Sequence, residues 1–396
     1  MSFQPLTRRD ILSRGTVGIL ALTFASRCTS SRALSADPEI SADLITRQAS
    51  PFNAEPPLSR LIEKWITPVN SFFVRSHGDV PTLEAKELTL TIDGLVDKPL
   101  TLKLPELIER FPAASTTATL TCAGNRRSEF AAIKKVGGVQ WEAGAIGNAE
   151  WQGVRLADVL KAAGVKPDAK HVWFEGRDHV TEKDVTFPFG GSIPLEKALV
   201  NAATGATLLA TQMNGQPLTP AHGFPLRTVV PGYIGARSVK WLHQITVADR
   251  PSPNHFVADV YKLVPEENAE LLAKTSPIYE FTLNSAICVP AAGTALGSDN
   301  IAVKGFALTN GTTGRSVQQI EVSADGGQTW TPAKVTSPLR DYCWVLWSVD
   351  VPVADKTDSL LVRATDTSGE MQPQQCPWNY KGYQFNGWHK VNLKRG

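Results

Sequence analysis

The pattern of apolar and polar residues changes near residue 253, and this change limits the folds that the chain can adopt. Downstream, short alternating segments recur at the spacing of a β-sandwich; they cover residues 301–308, 317–323, 344–350 and 360–364. Upstream, predicted strands (88–92, 115–121, 171–174, 208–213) are mixed with short predicted helices (104–110, 156–163, 194–200). A chain of 396 residues exceeds one average domain. We therefore expect two domains, with a boundary in the linker-like segment near residues 249–256.

Composition favours an ordinary folded protein. Apolar residues make up 42% and charged residues 20%, which is enough to bury normal cores. The formal net charge is only +2. A charge this small gives no reason to expect binding to nucleic acid or to a membrane surface.

The first 36 residues are a basic segment of their own. They contain five arginines and one aspartate, and Arg8 and Arg9 form a pair. Residues 15–25 are apolar but too short to span a bilayer, and residues 33–36 offer small side chains for cleavage. We interpret residues 1–36 as a twin-arginine signal peptide and expect a periplasmic protein without a membrane anchor. The alternative is a mobile basic tail.

The segment that follows has the composition of a linker. Residues 37–57 end in a stretch with three prolines. We expect an extended N-terminal arm laid over the surface. The first of the two expected domains would then cover residues 58–252 and the sandwich residues 253–396.

Cys122 is the most reactive position that the sequence indicates. It follows the threonine-rich run 115–121 and precedes Arg126 and Arg127. Guanidinium groups beside a sulfur favour the thiolate, which attacks electrophiles or binds metal. Three roles are open: a buried apolar thiol, a nucleophile paired with histidine, or a ligand to a soft metal. The histidines that could serve as its base are His77, His171, His179, His222 and His243.

Other cations lie in loops that contain glycine or proline. Arg75, Arg227, Arg237 and Lys240 each follow or precede an apolar segment. Taken singly, each could be a solvated surface charge. Together with the two arginines after Cys122, they suit an oxyanion substrate and a phosphorylated cofactor.

The remaining motifs carry less weight. Outside residues 1–36, the cysteines form no C-x-x-C pair, so zinc, iron–sulfur and c-type haem sites lack their usual spacing. Whether any of these cysteines form a disulfide is left open. Ser323 to Trp330 has the spacing of an Asp-box turn, but it occurs once, whereas propellers need one unit per blade. We interpret it as a hairpin turn stabilised by Asp325.

Four motifs resemble the sulfite oxidase family of molybdenum enzymes. They are FVRSH (73–77), CAGNRRSE (122–129), HGFPLR (222–227) and VPGYIGARSVKW (230–241). The resemblance extends from about residue 60 to the end of the chain. It implies an α+β protein, with a mixed α/β molybdopterin-binding domain of the sulfite oxidase fold followed by an immunoglobulin-like β-sandwich. The family's sandwich is a dimerisation domain, so a homodimer is expected.

The resemblance also implies a cofactor and a set of site residues. Molybdenum–molybdopterin would bind with Cys122 as its one protein ligand. Sulfite would lie among Arg75, Arg127 and Arg340, with Tyr261 nearby, although the sequence around Arg340 departs from the family pattern. The residues expected to hold the cofactor are Phe73, Val74, Arg75, Ser76, His77, Asp178, His222, Arg227, Ser238, Val239 and Lys240. Arg126 would brace the site.

The expected activity is oxidation of sulfite to sulfate. We expect no haem, since the sequence shows no haem domain and no C-x-x-C-H. Electrons would then pass to an external c-type cytochrome, which makes the protein a sulfite dehydrogenase. The alternatives are an exported molybdenum reductase acting on nitrate or methionine sulfoxide, and a binding protein that keeps the fold without redox function. Molybdenum content would distinguish this last alternative.

Overall fold

The computed structural model describes residues 44–182, 184–296, 300–354 and 356–394. The interpreted signal peptide lies outside these ranges. Strands are β1 (Ile45–Gln48), β2 (Asn53–Glu55), β3 (Thr89–Gly94), β4 (Leu100–Lys103), β5 (Ala113–Thr121), β6 (Ile146–Arg155), β7 (His171–Glu182), β8 (Val185–Pro194), β9 (Leu208–Met213), β10 (Gln216–Pro217), β11 (Arg227–Val229), β12 (Leu242–Ala248), β13 (Asn284–Val289), β14 (Asn300–Leu308), β15 (Val317–Ser323), β16 (Thr331–Pro332), β17 (Lys334–Val335), β18 (Val345–Pro352), β19 (Ser359–Asp366) and β20 (His389–Asn392). Helices are α1 (Leu58–Leu61), α2 (Leu104–Arg110), α3 (Arg127–Ile133), α4 (Leu156–Ala163), α5 (Leu195–Ala198) and α6 (Ala269–Lys274).

Short turns of tighter or wider helix connect these elements. Turns of 3₁₀ helix cover Val69–Ser71, Ala85–Glu87, Pro220–His222 and Gly235–Arg237, and a π-helical turn covers Phe256–Val260. None of the helices in the described ranges is long and apolar enough to cross a bilayer.

Two five-stranded sheets build the part of the molecule that carries Cys122. One has the order β10-β9-β6-β5, with β11 also paired to β9, and all its pairs are antiparallel. The other has the order β4-β3-β12-β7-β8 and contains one parallel pair, β3 with β12. Side chains of both sheets and of α4 enter one large apolar cluster. This cluster fixes the strand ends from which the site is built.

The C-terminal strands form two four-stranded antiparallel sheets. Their orders are β13-β14-β18-β17 and β16-β15-β19-β20. Buried side chains of both sheets, among them Val303, Trp347, Val362 and Val391, share one apolar cluster. Alternating strands with one buried face favour this packing. The expected α+β class, with a sandwich at the C-terminal end, is confirmed.

Local signals placed several elements correctly. Helices α2 and α4 and strand β9 have the predicted bounds. The chain leaves α4 at Gly164, which adopts φ 71°, a left-handed value that suits glycine after a helix. Asn214 and Gly215, with φ 53° and 75°, join β9 to β10 in the left-handed conformation typical of a two-residue hairpin.

The N-terminal arm differs from its prediction. Residues 45–55 form a hairpin of β1 and β2, and Asn53, Ala54 and Glu55 have no exposed surface. The arm is therefore not laid over the surface at this point, because its second strand is enclosed. Side-chain hydrogen bonds to distant loops make this burial favourable and leave no periodic trace in the sequence. The bounds of the expected domains stay a prediction.

Strand β7 is longer than the predicted strand at residues 171–174. It runs to Glu182, and its register with β8 shifts between Glu175 and His179. The irregularity turns Asp178 inward, where it is 3% exposed. A side chain at Gly176 would meet Asp178 Oδ1 at 2.5 Å, so this close approach requires glycine.

Candidate active site

The loop after β5 is held by backbone hydrogen bonds on both sides of Cys122. The Cys122 amide donates to the carbonyl of Ala145 (2.9 Å), and the Asn125 amide donates to the carbonyl of Cys122 (2.9 Å). The side chain of Asn125 accepts from the Ala145 amide (3.0 Å). Arg126 adopts φ 66°, and helix α3 begins at Arg127. The sulfur is therefore presented from a tight, fully bonded turn.

Arg126 braces this turn. Its Nε and Nη2 donate to the two carboxylate oxygens of Glu129 at 2.6 and 2.8 Å. Its Nη1 donates to Asn284 Oδ1 (2.8 Å) and to the carbonyl of Ser285 (3.2 Å). The side chain has no exposed surface, and these partners compensate its burial. This is the bracing role that the resemblance implied.

Arg127 is anchored by carbonyl groups of the C-terminal part of the chain. Its Nε donates to the carbonyls of Lys381 and Gly382, both at 3.2 Å, and its Nη1 donates to that of Val139 (2.9 Å). Its guanidinium lies 5.1 Å from the ring centroid of Tyr383. The same C-terminal segment reaches the loop again through the Gln384 amide, which donates to the Ala123 carbonyl at 2.6 Å.

A cavity with an empty volume of about 670 Å³ opens beside Cys122. Its lining combines aromatic and apolar side chains with a few charged groups, as small-molecule sites do. Predicted site residues that line it are Phe73, Arg75, Ser76, His77, Cys122, Asp178, His222, Arg227, Ser238, Lys240 and Tyr261. Lining residues that the sequence did not indicate include Phe72, Phe189 and Trp241. Aromatic residues are common in any core, so no local signal marked Phe72 and Phe189, whereas Trp241 ends the motif at residues 230–241 without having been predicted as a site residue.

The cavity wall is electropositive, and burial shifts its groups. Burial, followed by the charge of Arg227, lowers the pKa of Lys240 to about 7, while Asp178 opposes this shift. Burial raises the pKa of Asp178 to about 6, against the attraction of Lys240. Burial, Lys240 and Arg227 lower the pKa of His222 to about 3, so this histidine is neutral at pH 7. Excess positive charge in a dry cavity favours a bound anion.

A hydroxyl and several backbone carbonyls hold these cations in place. Lys240 Nζ donates to Ser76 Oγ (3.1 Å) and to the Ala221 carbonyl (2.8 Å). Arg227 donates to the carbonyls of His222 (2.9 Å) and Ser238 (3.0 Å). Neutral acceptors leave the positive charges available to a ligand.

Tyr261 and His77 form a hydrogen-bonded pair at the cavity. His77 Nε2 and the Tyr261 hydroxyl are 2.8 Å apart. The His77 ring packs against Phe189 and Phe256, with a centroid distance of 4.5 Å to each, and these two rings also pack against one another. Burial, followed by the charge of Arg75, holds the pKa of His77 well below its usual range. The π-helical turn ends immediately before Tyr261, in keeping with the frequent occurrence of such turns at functional sites.

Two predicted cofactor residues stand behind the cavity instead of lining it. Val74 is 2% exposed, and its amide and carbonyl pair with Ala54 at 2.8 and 3.0 Å. Val239 is fully buried; its amide donates to Thr228 Oγ1, and its carbonyl accepts from the Thr228 amide. Their backbone groups are paired within the fold, and neither residue lines the cavity; their contact with the cofactor stays a prediction.

Arg340 does not reach the cavity. It is exposed, its guanidinium lies 5.4 Å from the ring centroid of Trp65, and Nη1 donates to Thr117 Oγ1 at 3.4 Å. Thr117 precedes Cys122 by five residues of nearly extended chain, a separation of about 16 Å at the rise of a β-strand. The prediction that Arg340 joins the substrate pocket is therefore corrected. Arg127 also lies outside the cavity lining, next to Gly124.

The arrangement does not form a thiol–histidine pair. Within the described ranges, the hydrogen bond recorded at Cys122 Sγ comes from the Gly124 amide (3.4 Å). His77 and His222 line the cavity but bond to Tyr261 and Val69 instead. His171, His179 and His243 are outside the lining. Cys122, Cys288, Cys343 and Cys376 are free thiols.

The residues present fit a molybdenum–pyranopterin group. Asp178 Oδ1 is buried without a hydrogen-bond partner, so a donor on a ligand would satisfy it. The described residues contain no cluster of three or more His, Cys, Asp or Glu that could hold a metal alone. One thiol beside cationic side chains suits a metal whose other ligands come from an anionic organic cofactor.

Comparison with known proteins gives the same class. Residues 77–256 match the family described as "Oxidoreductase molybdopterin binding domain". Residues 275–396 match the "Mo-co oxidoreductase dimerisation domain". The protein is thus a molybdopterin-binding oxidoreductase with a dimerisation domain.

The relatives narrow this class to one family. The chain is 40% identical to sulfite oxidase of Gallus gallus, over 89% of this chain and 78% of the relative. It is 36% identical to sulfite oxidase of Arabidopsis thaliana, over 91% of this chain and 96% of the relative. The match to mitochondrial sulfite oxidase of Drosophila melanogaster is 39% identical over 91% of this chain and spans 65% of that protein's length. The chain belongs to the sulfite oxidase family.

A solved structure supports the fold. The sulfane dehydrogenase SoxCD from Paracoccus pantotrophus superposes with a TM-score of 0.73 at 27% sequence identity. The superposition covers 88% of this chain and 88% of the other.

Proposed function

We propose that the protein oxidises sulfite to sulfate at a molybdenum–pyranopterin centre. The observation that carries this proposal is the buried thiol of Cys122 at a cavity lined by Arg75, Lys240 and Asp178, whose Oδ1 has no hydrogen-bond partner. When bound, the molybdenum centre supplies oxygen-atom transfer and takes up the two electrons released by the substrate. Similarity to sulfite oxidases at about 40% identity supports sulfite as that substrate.

The side chains of the cavity divide into two groups. Arg227, Lys240, His222, Ser238 and Asp178 hold the pterin and its phosphate through charge, hydrogen bonds and shape. Arg75 attracts and orients the sulfite oxyanion, and Arg127, which lies outside the lining, adds its positive charge near Tyr261. Tyr261 is held toward the cavity by His77, which stays neutral. Its hydroxyl can donate one hydrogen bond to a ligand oxygen if His77 Nε2 donates to it.

The proposal also covers the compartment, the oligomeric state and the electron acceptor. The arginine pair at residues 8 and 9 supports export to the periplasm. The match of residues 275–396 to a dimerisation domain supports a homodimer. Electrons leave singly to an external c-type cytochrome. Oxygen consumption at a rate comparable with cytochrome reduction would contradict this acceptor.

A steady-state assay tests the substrate. The molybdenum-loaded enzyme is given sulfite with a one-electron oxidised dye, and nitrate or methionine sulfoxide with the reduced dye. We expect kcat/KM for sulfite to exceed the values for the other two by at least about 100-fold, because nitrate and the neutral sulfoxide differ from sulfite in charge and shape and so fit the site less well in the transition state. Comparable or faster turnover of nitrate or the sulfoxide would contradict the proposal.

Nitrate reduction is the second candidate. The chain is 34% identical to the inducible NADH nitrate reductase 2 of Glycine max, over 98% of this chain and 46% of that protein. A cavity walled by arginine and lysine also attracts nitrate. The lower identity and the lower charge of nitrate favour sulfite.

A further inference from the structure

A buried asparagine of β2 contacts the arginine that lines the cavity. Asn53 has no exposed surface, although it precedes the matched residues 77–256. Its Oδ1 accepts from Arg75 Nη1 (3.2 Å) and from the Ser76 amide (3.0 Å). Its Nδ2 donates to the carbonyls of Ser76 (3.1 Å) and Pro51 (2.8 Å). All four hydrogen bonds of the amide are thus made, which fixes its orientation.

These contacts occupy one edge of the Arg75 guanidinium. Nη1 donates to Asn53 and to the carbonyl of Ser76. Among the described residues, none is recorded as accepting from Nε or Nη2, and Arg75 lines the cavity. One edge of the fork is therefore fixed, and the other is left for an oxyanion.

Strand β2 itself is held on two sides. The Ala54 amide and carbonyl pair with Val74. The buried carboxylate of Glu55 accepts from the amides of Glu142 (2.8 Å) and Gly144 (2.9 Å). A side chain at Gly144 would lie 2.9 Å from the Pro56 carbonyl oxygen, so the two segments are in close contact. Asn53 therefore acts from a rigid support.

We propose that Asn53 is a positioning residue that presents Arg75 to the oxyanion, an inference that rests on the proposed function. A neutral amide orients the guanidinium without cancelling its charge. A carboxylate at the same place would pair with Arg75 and compete with the substrate. The choice of asparagine over aspartate thus follows from the need to bind an anion.

The test compares Asn53→Ala and Asn53→Asp with the wild type, and uses Gln48→Ala as the matched control. Gln48 lies on the same hairpin, and its side chain bonds to the Ser50 carbonyl at an exposed site. Sulfate is titrated into the molybdenum-loaded enzyme by calorimetry, and kcat and KM for sulfite are measured with a one-electron dye. The value of kcat and the number of sulfate sites are both normalised to molybdenum content.

We expect Asn53→Ala to raise the Kd for sulfate and the KM for sulfite about tenfold, with kcat per molybdenum within about twofold. Asn53→Asp should raise both further at pH 8, and its sulfate affinity should recover as the pH falls toward the titration range of aspartate. Gln48→Ala should match the wild type. A purely structural role would lower the melting temperature without this split between KM and kcat.

Unchanged sulfate affinity in Asn53→Ala at full molybdenum content would overturn the inference. If Asn53→Ala loses its fold or its metal, the Asn53→Asp variant tests the inference instead. Its carboxylate keeps an oxygen that accepts from Arg75 and from the Ser76 amide. A sulfate Kd for Asn53→Asp that equals the wild-type value at every pH would also overturn it. A wild-type enzyme that ignores sulfite but binds sulfate in an Asn53-dependent manner would contradict the proposed function alone.

Discussion

The cavity around Cys122 and the core of the C-terminal sandwich are buried by different means. The sandwich core consists of apolar side chains such as Val303, Leu360 and Val362. The cavity wall includes Arg227 and His222, each 5% exposed, and these are held by carbonyl acceptors. The sandwich is stable because of its packing, whereas the cavity holds more positive side chains than Asp178 can neutralise. Substitutions in the cavity should therefore lower activity, whereas substitutions in the sandwich core should lower stability.

The largest effect should come from Cys122→Ser. We expect sulfite turnover to fall at least about 10³-fold, because the hydroxyl is a poor substitute for the thiolate that binds the metal. The melting temperature should stay close to that of the wild type, because the turn is held by backbone bonds. Turnover, molybdenum content and thermal melting are measured together. Cys376→Ser, a free thiol outside the cavity, is the control, and near-normal turnover in Cys122→Ser would contradict the assignment.

The sandwich should respond in the opposite way. Leu360→Ala removes a fully buried side chain from its core, and we expect a loss of about 3 kcal/mol in the free energy of unfolding. The activity of the folded fraction should be unchanged. Leu339→Ala, whose side chain is 60% exposed, should change stability by less than about 0.5 kcal/mol. Denaturant titration measures both, and equal losses would show that packing does not separate the two positions.

A milder test addresses the anion contact. Arg75→Gln should raise the KM for sulfite by about 10- to 100-fold while kcat changes less, because it removes a charge that binds the oxyanion. Arg60→Gln is the control, since Arg60 is exposed and pairs with Glu63. Steady-state kinetics with a one-electron dye gives both constants. An unchanged KM would remove Arg75 from the substrate pocket.

The smallest effect concerns pH. Because the pKa of His222 falls to about 3 on folding, the unfolded chain takes up this proton first as the pH drops below 6.5. The stability contribution of His222 is complete above pH 6.5 and is lost as the pH falls toward 3; at pH 5 the loss is about 2 kcal/mol. His222→Gln should flatten the decline between pH 7 and pH 5 by that amount. Denaturant unfolding at both pH values checks this, and identical slopes would contradict it.

The same contrast explains what the sequence could reveal. Strands β14, β15 and β19 were predicted to within about two residues because alternation exposes the buried face of a sandwich strand. The residue types of the cavity were also indicated, since Arg75, His222 and Lys240 lie in recognisable motifs. These signals are local, and each is contained in a short stretch of chain.

Long-range hydrogen bonding left no such signal. Nothing in the sequence showed that the backbone of Val74 would form hydrogen bonds with that of Ala54, or that Asp178 would turn inward at an irregularity of β7. The burial of Asn53 depends on partners more than twenty residues away. Arg340 was misplaced for a related reason, because a charged residue in a loop does not indicate which surface the loop faces.

The carbonyls of Lys381 and Gly382 that anchor Arg127, and the Gln384 amide that donates to Ala123, have a consequence for engineering. Asn284 and Ser285 anchor Arg126 from the same C-terminal part of the chain. A chimaera that exchanges residues 275–396 with those of a relative would replace the Asn284 side chain and the segments that supply these backbone groups. Such an exchange would therefore alter the support of the Cys122 loop as well as the dimerisation domain.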